Sequence, residues 1–162
     1  MNHQVVVGLG CPFLGDDSVG IQVIRHLRHL AGSCSANIRL VESHAGGLLL
    51  LEELTGARQA IIIDAVLDDR RVPGEVVVAN MDMSSCHAAC GHDCDLPQAM
   101  AIGRAMGMPL PDNDHIHLVG VVAENVSTFT EHLSTLVAAA LPLACQTVWE
   151  LINEVTFEED AA

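Results

Sequence analysis

The stretch VVVGLGCPFLGDDSVGIQVI (5–24) runs from β-branched residues through a glycine-rich turn into an amphipathic segment with helical spacing. This order predicts a strand, a tight turn and a helix, with the turn lying at the carboxyl edge of a sheet, where open α/β folds place ligands. A phosphate-binding loop of this layout carries Lys and Ser/Thr after its last glycine. Here Gly15 is followed by Asp16 and Asp17, so a cation suits the turn better than an anion.

The same alternation continues along the chain. HQVVVGL (3–9), NIRLVES (37–43), QAIIIDAV (59–66), GEVVVANM (74–81) and HIHLVGVVAE (115–124) read as strands. QAIIIDAV is a continuous apolar run between turn formers, the mark of a strand covered on both faces. SVGIQVIRHLRHLAG (18–32), GGLLLLEELTG (46–56), LPQAMAIGRAMG (96–107) and a long closing segment, 129–155, read as helices, the last with Pro142 inside it as a site for a kink. The pattern is doubly wound α/β. With neither an internal repeat nor a Pro/Ser-rich linker, the 162 residues are expected to form one domain, 1–162, with the acidic end FEEDAA (157–162) as a frayed tail.

Composition narrows the partners. Seven Lys+Arg against twenty-one Asp+Glu give a formal charge of −14, and no basic stripe is available to meet a phosphate backbone, so nucleic acid is excluded as a partner. The acidity favours cations or a basic peptide. The apolar run GGLLLLEEL is broken by acids too early to span a bilayer, and MNHQVVVG lacks the basic n-region of a signal peptide. The expectation is a soluble cytoplasmic protein without a membrane partner. Its six cysteines, at 11, 34, 86, 90, 94 and 145, are expected to be reduced thiols rather than a disulfide framework.

Three polar groups fall at the same edge of the expected sheet: Asp17 after the first strand, Asp64 in QAIIIDAV, and His92 in the irregular stretch MDMSSCHAACGHDCD (81–95). Two carboxylates and an imidazole form an O,O,N set that suits a borderline divalent ion such as nickel or zinc. Each has a structural alternative. Asp16 or Asp17 fits a helix N-cap, Asp64 fits a turn contact, and His92 competes with His87, His115 and His117. The loop residues Cys86, His87, Cys90, His92 and Cys94 also offer zinc ligands, although no paired CxxC framework is present. Cys11, inside the glycine turn, fits either a site residue or a small packed thiol.

Taken together, GLGCPFLGDDSVG (8–20), SHAGGLLLLEEL (43–54), AIIIDAV (60–66) and HDCDLPQAMAIGRAMG (92–107) resemble the hydrogenase maturation endopeptidases. That family combines a Gly-rich first turn ending in paired acids, a strand-terminal Asp before Ala, and a His shortly before Leu-Pro. The similarity covers nearly the whole chain. It implies a single three-layer α/β/α domain with a twisted, mostly parallel sheet, and a metal-dependent endopeptidase of the aspartyl type in which Asp17, Asp64 and His92 are both metal ligands and catalytic residues. It also implies a substrate: the precursor of a nickel-iron hydrogenase large subunit, whose C-terminal peptide is removed after nickel insertion. The nickel is then supplied by the substrate as a recognition anchor, and no organic cofactor is required. Two departures stand out. Cys11 occupies a position where the family usually has Asn, and the enriched Cys/His loop makes His87 a rival of His92, which keeps the family's distance to Leu-Pro. The competing reading is a non-enzymatic nickel carrier or chaperone. A dinucleotide-binding domain is a third, disfavoured by the acids after the turn.

Overall fold

The computed structural model describes residues 4–30, 37–44, 46–81 and 96–159, with side chains described as far as residue 154. Five strands, β1 (Gln4–Leu9), β2 (Ile38–Ser43), β3 (Gln59–Val66), β4 (Val76–Asn80) and β5 (Ile116–Val122), form one sheet in the order β2-β1-β3-β5-β4. β1 pairs in parallel with β2 and β3, and β3 with β5, whereas the edge strand β4 runs antiparallel to β5. Four α-helices accompany them: α1 (Val19–Leu30), α2 (Leu50–Leu54), α3 (Leu96–Ala105) and α4 (Thr135–Glu159).

The period-two pleat of the central strands divides the core into two halves. Val6, Ile61, Ile63, Val119 and Val121 point to one face and are buried with Val23 and Ile24 of α1 and Val137, Ala144 and Val148 of α4. Their neighbours Val5, Val7, Ala60, Ile62 and Ile116 point to the other face, against Leu51 and Leu54 of α2 and Met100 of α3. The expected three-layer α/β/α arrangement with a mostly parallel sheet follows directly. At the amino ends of β1 and β3, Gln4 donates to the carbonyl of Ile152 at 2.9 Å and to Gln59 Oε1 at 2.7 Å, which ties the sheet to the far end of α4.

The closing segment starts later than expected. The helix begins at Thr135 instead of residue 129, because the N–H groups ahead of it have other acceptors: the carboxylate of Asp16 takes that of Ser134, and Thr130 Oγ1 takes that of His132. Pro142 lies inside the single helical span Thr135–Glu159. Among the described residues the helix's stretch Thr135–Glu154, with a mean hydropathy of 1.5, is long and apolar enough to cross a membrane by length and composition alone. Here its inner stripe, Val137, Leu141, Ala144, Val148 and Ile152, completes the core beside α1.

The first turn is set by backbone proximity. A Cβ built on Gly8 of β1 would stand 2.1 Å from the carbonyl oxygen of Gly20 in α1, and one built on Gly20 would stand 2.4 Å from Ile63 O and 2.5 Å from Leu9 O. Only hydrogen fits on either side. Gly20→Ala therefore reverses the usual helix-propensity gain of about 1 kcal/mol and is expected to cost about 3 kcal/mol by overpacking. Urea denaturation of the variant measures this; a stability equal to or above the parent's would contradict the packing described.

Candidate functional site

The strand order reverses direction between β1 and β3, since β2 lies outside β1 on one side while β5 and β4 continue on the other. In open α/β sheets this switch point opens a crevice at the carboxyl ends of the strands. The turn from β1 into α1, Gly15–Ser18, packs there against β3. The candidate carboxylates Asp17 and Asp64 thus belong to the two elements that flank the crevice.

Adjacent in sequence, Asp16 and Asp17 have separate tasks. Asp16 is only 1% exposed, and its carboxylate accepts N–H bonds from Glu124 at 2.9 Å, Asn125 at 3.2 Å and Ser134 at 2.7 Å. It clasps the loop between β5 and α4. Asp17 is half-buried, and its Oδ2 accepts the N–H of Cys11 at 2.7 Å across the glycine turn. Neither acid serves as the helix N-cap that local sequence suggested, since Asp17 reaches back along the chain and Asp16 reaches to residues more than a hundred positions away. Gly10 makes the turn possible, with φ of 135° and no room for a Cβ, which would lie 1.7 Å from the carbonyl oxygen of Asp17.

Asp64 lies within β3, two residues before its end, in register with Gly120 of β5. By alternation it shares the sheet face of Ala60 and Ile62, toward α2 and α3. It is half-buried, as an acid following three isoleucines should be, and its Oδ1 accepts the N–H of Ala65 at 2.8 Å. Each carboxylate thus has one oxygen oriented by a backbone N–H, the kind of support that fixes a ligating group.

His92, the third member of the expected triplet, lies outside the described residues, as do its rival His87 and the thiols of Cys34, Cys86, Cys90 and Cys94. Among the described residues no group of three or more His, Cys, Asp or Glu is placed to hold a metal. Two other histidines drop out as candidates. His115 and His117 stand at the start of β5, the opposite edge of the sheet from Asp17, and His117 Nδ1 pairs with Asn80 Oδ1 at 3.0 Å. Burial, helped by neighbouring His115, holds the His117 imidazole below its ordinary pKa against the opposing pull of Glu154.

His44 enters instead. It follows β2 at the same edge as Asp17, and its Nδ1 lies 3.0 Å from the carbonyl oxygen of Gly10. A carbonyl can only accept, so Nδ1 carries the proton and Nε2 presents its lone pair when the ring is neutral. The fragment SHAGG contained this residue, but nothing in its spacing showed that it would support the glycine turn. Cys11 is a half-buried free thiol whose main chain holds Asp17, while Cys145 is a buried free thiol in the α1/α4 core whose pKa burial pushes up.

Solved structures with this arrangement of strands and helices include hydrogenase maturation proteases. The hydrogenase maturating endopeptidase HybD from Escherichia coli superposes with a TM-score of 0.73 at 21% identity, over 94% of this chain and 93% of that one. The chain has the fold of the hydrogenase maturation endopeptidases. The NiFe hydrogenase maturation protease HybD from Thermococcus kodakarensis aligns at 23% identity with a TM-score of 0.67, covering 92% and 98% of the two chains. HycI from Thermococcus kodakarensis KOD1, also a NiFe hydrogenase maturation protease, gives 0.71 at 18% identity over 94% and 93%. No family model and no curated protein matches the sequence. The resemblance carried by the motifs and the likeness of the fold thus lead to one family of solved structures.

Asp16→Ala leaves three backbone N–H groups without their acceptor in a buried position, and a loss of about 3 kcal/mol is expected. Urea denaturation gives the magnitude. Faster amide exchange at Glu124, Asn125 and Ser134, with exchange in β1 and β3 unchanged relative to global stability, locates the effect in the clasped loop.

Proposed function

We propose that this protein is an endopeptidase that removes the C-terminal peptide from the nickel-loaded precursor of a nickel-iron hydrogenase large subunit. The observation that carries the reading is the placement of Asp17 and Asp64 on the two elements flanking the switch-point crevice, in a fold shared with maturation proteases along almost its full length. A hydrolase needs a base and a means of fixing the scissile peptide; two oriented carboxylates at a crevice meet both needs.

The nickel belongs to the substrate. Asp17, Asp64 and His92 form the O,O,N set that receives it, a donor set suited to a borderline divalent ion. Asp17 is held by the Cys11 N–H and Asp64 by the Ala65 N–H, so both are presented in fixed orientations before the precursor arrives. One carboxylate accepts a proton from the water that attacks the scissile carbonyl, and fixed alignment of the peptide supplies much of the remaining acceleration. No organic cofactor takes part. The setting is the cytoplasm, where a newly made precursor and its reduced thiols are encountered together.

Incubation with a nickel-loaded precursor should shorten the precursor at its C-terminus, read by intact mass. Asp17→Asn and Asp64→Asn are each expected to lower the rate by ~10²-fold or more while the melting temperature stays near that of the parent, since Asn can still accept the same backbone N–H. Normal processing by both variants would refute the assignment. Nickel binding by the parent without any change in precursor mass would instead favour a carrier.

A further inference from the structure

The chain is poor in aromatic residues, with three Phe, one Trp and no Tyr. Phe13 and Phe129 nevertheless stand in solvent, 48% and 81% exposed. Their rings stack on each other, with centroids 6.1 Å apart and an interplanar angle of 15°. The stack is held by the backbone beneath it. Thr130 N donates to Phe13 O at 2.9 Å, Gly15 N donates to Thr130 O at 2.8 Å, and the carboxylate of Asp16 secures both ends of the loop that carries Phe129. Exposed apolar pairs of this kind gain nothing for folding beyond their mutual contact, and large exposed aromatic rings on a rigid base mark sites where a partner buries them.

The pair is continuous with the candidate site. Phe13 lies in the turn between Cys11, whose N–H holds Asp17, and the acids themselves. The charge around it has one sign. The two rim segments, 10–18 and 123–134, contain Asp16, Asp17, Glu124 and Glu131 and none of the chain's seven Lys+Arg. Six of the seven basic side chains have partners away from the rim: Arg25 and Arg28 pair with Glu42, Arg39 with Glu53, Arg70 and Arg71 with Asp68, and Arg104 with the carbonyl of Pro111. Glu124 and Glu131 are exposed on the loop that carries Phe129.

We infer that the stacked Phe13 and Phe129 rings are the docking platform for the precursor, receiving an apolar side chain of the segment next to the scissile bond, with a Lys or Arg of that segment set against Glu124 and Glu131. This rests on the peptidase reading above and adds to it the chemistry of the recognised segment. Apolar burial on the rings supplies affinity, and the acidic rim supplies steering and a dependence on salt. Neither group touches the reacting atoms, so the platform acts on binding more than on the chemical step.

The test is steady-state cleavage of a nickel-loaded precursor by the full chain. Phe129→Ala, at a position exposed enough to leave folding intact, and the double variant Phe13→Ala, Phe129→Ala are each expected to raise KM about tenfold, with kcat changed less than about twofold. Phe129→Trp should restore KM. In the parent KM should rise with added salt, and Glu124→Gln combined with Glu131→Gln should flatten that rise. An unchanged KM in both aromatic variants, or a loss confined to kcat, overturns the platform while leaving the peptidase reading in place. A salt-independent parental KM overturns its charged half. A parent that cleaves no precursor removes the peptidase reading and the platform together.

Discussion

The close backbone approach of Gly8 of β1 to Gly20 of α1 governs the position of the turn at the crevice. With no Cβ on either residue, the first turn of α1 descends onto the ends of β1 and β3 until Gly20 meets the carbonyls of Leu9 and Ile63. The short turn of Gly15–Ser18 is thereby pressed against β3, and Gly10, at positive φ, lets the chain fold back so that the Cys11 N–H reaches Asp17. A methyl group at either contact would lift the acidic turn off the strand that carries Asp64. Glycines that look like a nucleotide fingerprint in sequence serve here to bring main chain against main chain, a use that does not require a bound phosphate.

From that turn the two acids part in their contacts. Asp16 faces inward and gathers N–H groups from both ends of the β5–α4 loop, converting a polar connection into a rigid rim. Asp17, one residue on, stays half-buried at the crevice. Rim and crevice are consequently one construction: the clasp that orders residues 124–134 also presents Phe129 on Phe13, next to the candidate carboxylates. On the proposed peptidase reading, one turn of backbone organises both the place for the reacting bond and the surface outside it.

Much of the fold was legible. The runs VVVGL, AIII and LVGVV are apolar on both faces and recur with helices between them, and a parallel sheet covered on both sides is the arrangement that buries them. Where reading stopped at local pattern it failed for a physical reason. The segment from Phe129 to Ser134 has acceptable helix composition, but its N–H groups are bonded to Asp16, Phe13 and Thr130, and a helix cannot start until they are satisfied. The N-cap expected of Asp16 or Asp17 failed likewise, because stronger partners came from other parts of the chain.

The site was legible to a lesser degree. An acid after three isoleucines and an acid pair after a glycine turn announce themselves by residue type and neighbours, because burying carboxylates is costly and rarely accidental. Chain order alone therefore established the α/β class, the turn that carries Asp17, the strand that carries Asp64, and the acidic character of the chain. Which acid would turn inward, that His44 would brace the Gly10 carbonyl, and that two scattered phenylalanines would meet at the rim were decided by tertiary structure. Those outcomes depend on distances between residues remote in sequence, up to 118 positions apart for Asp16 and Ser134, and no local propensity encodes such a distance.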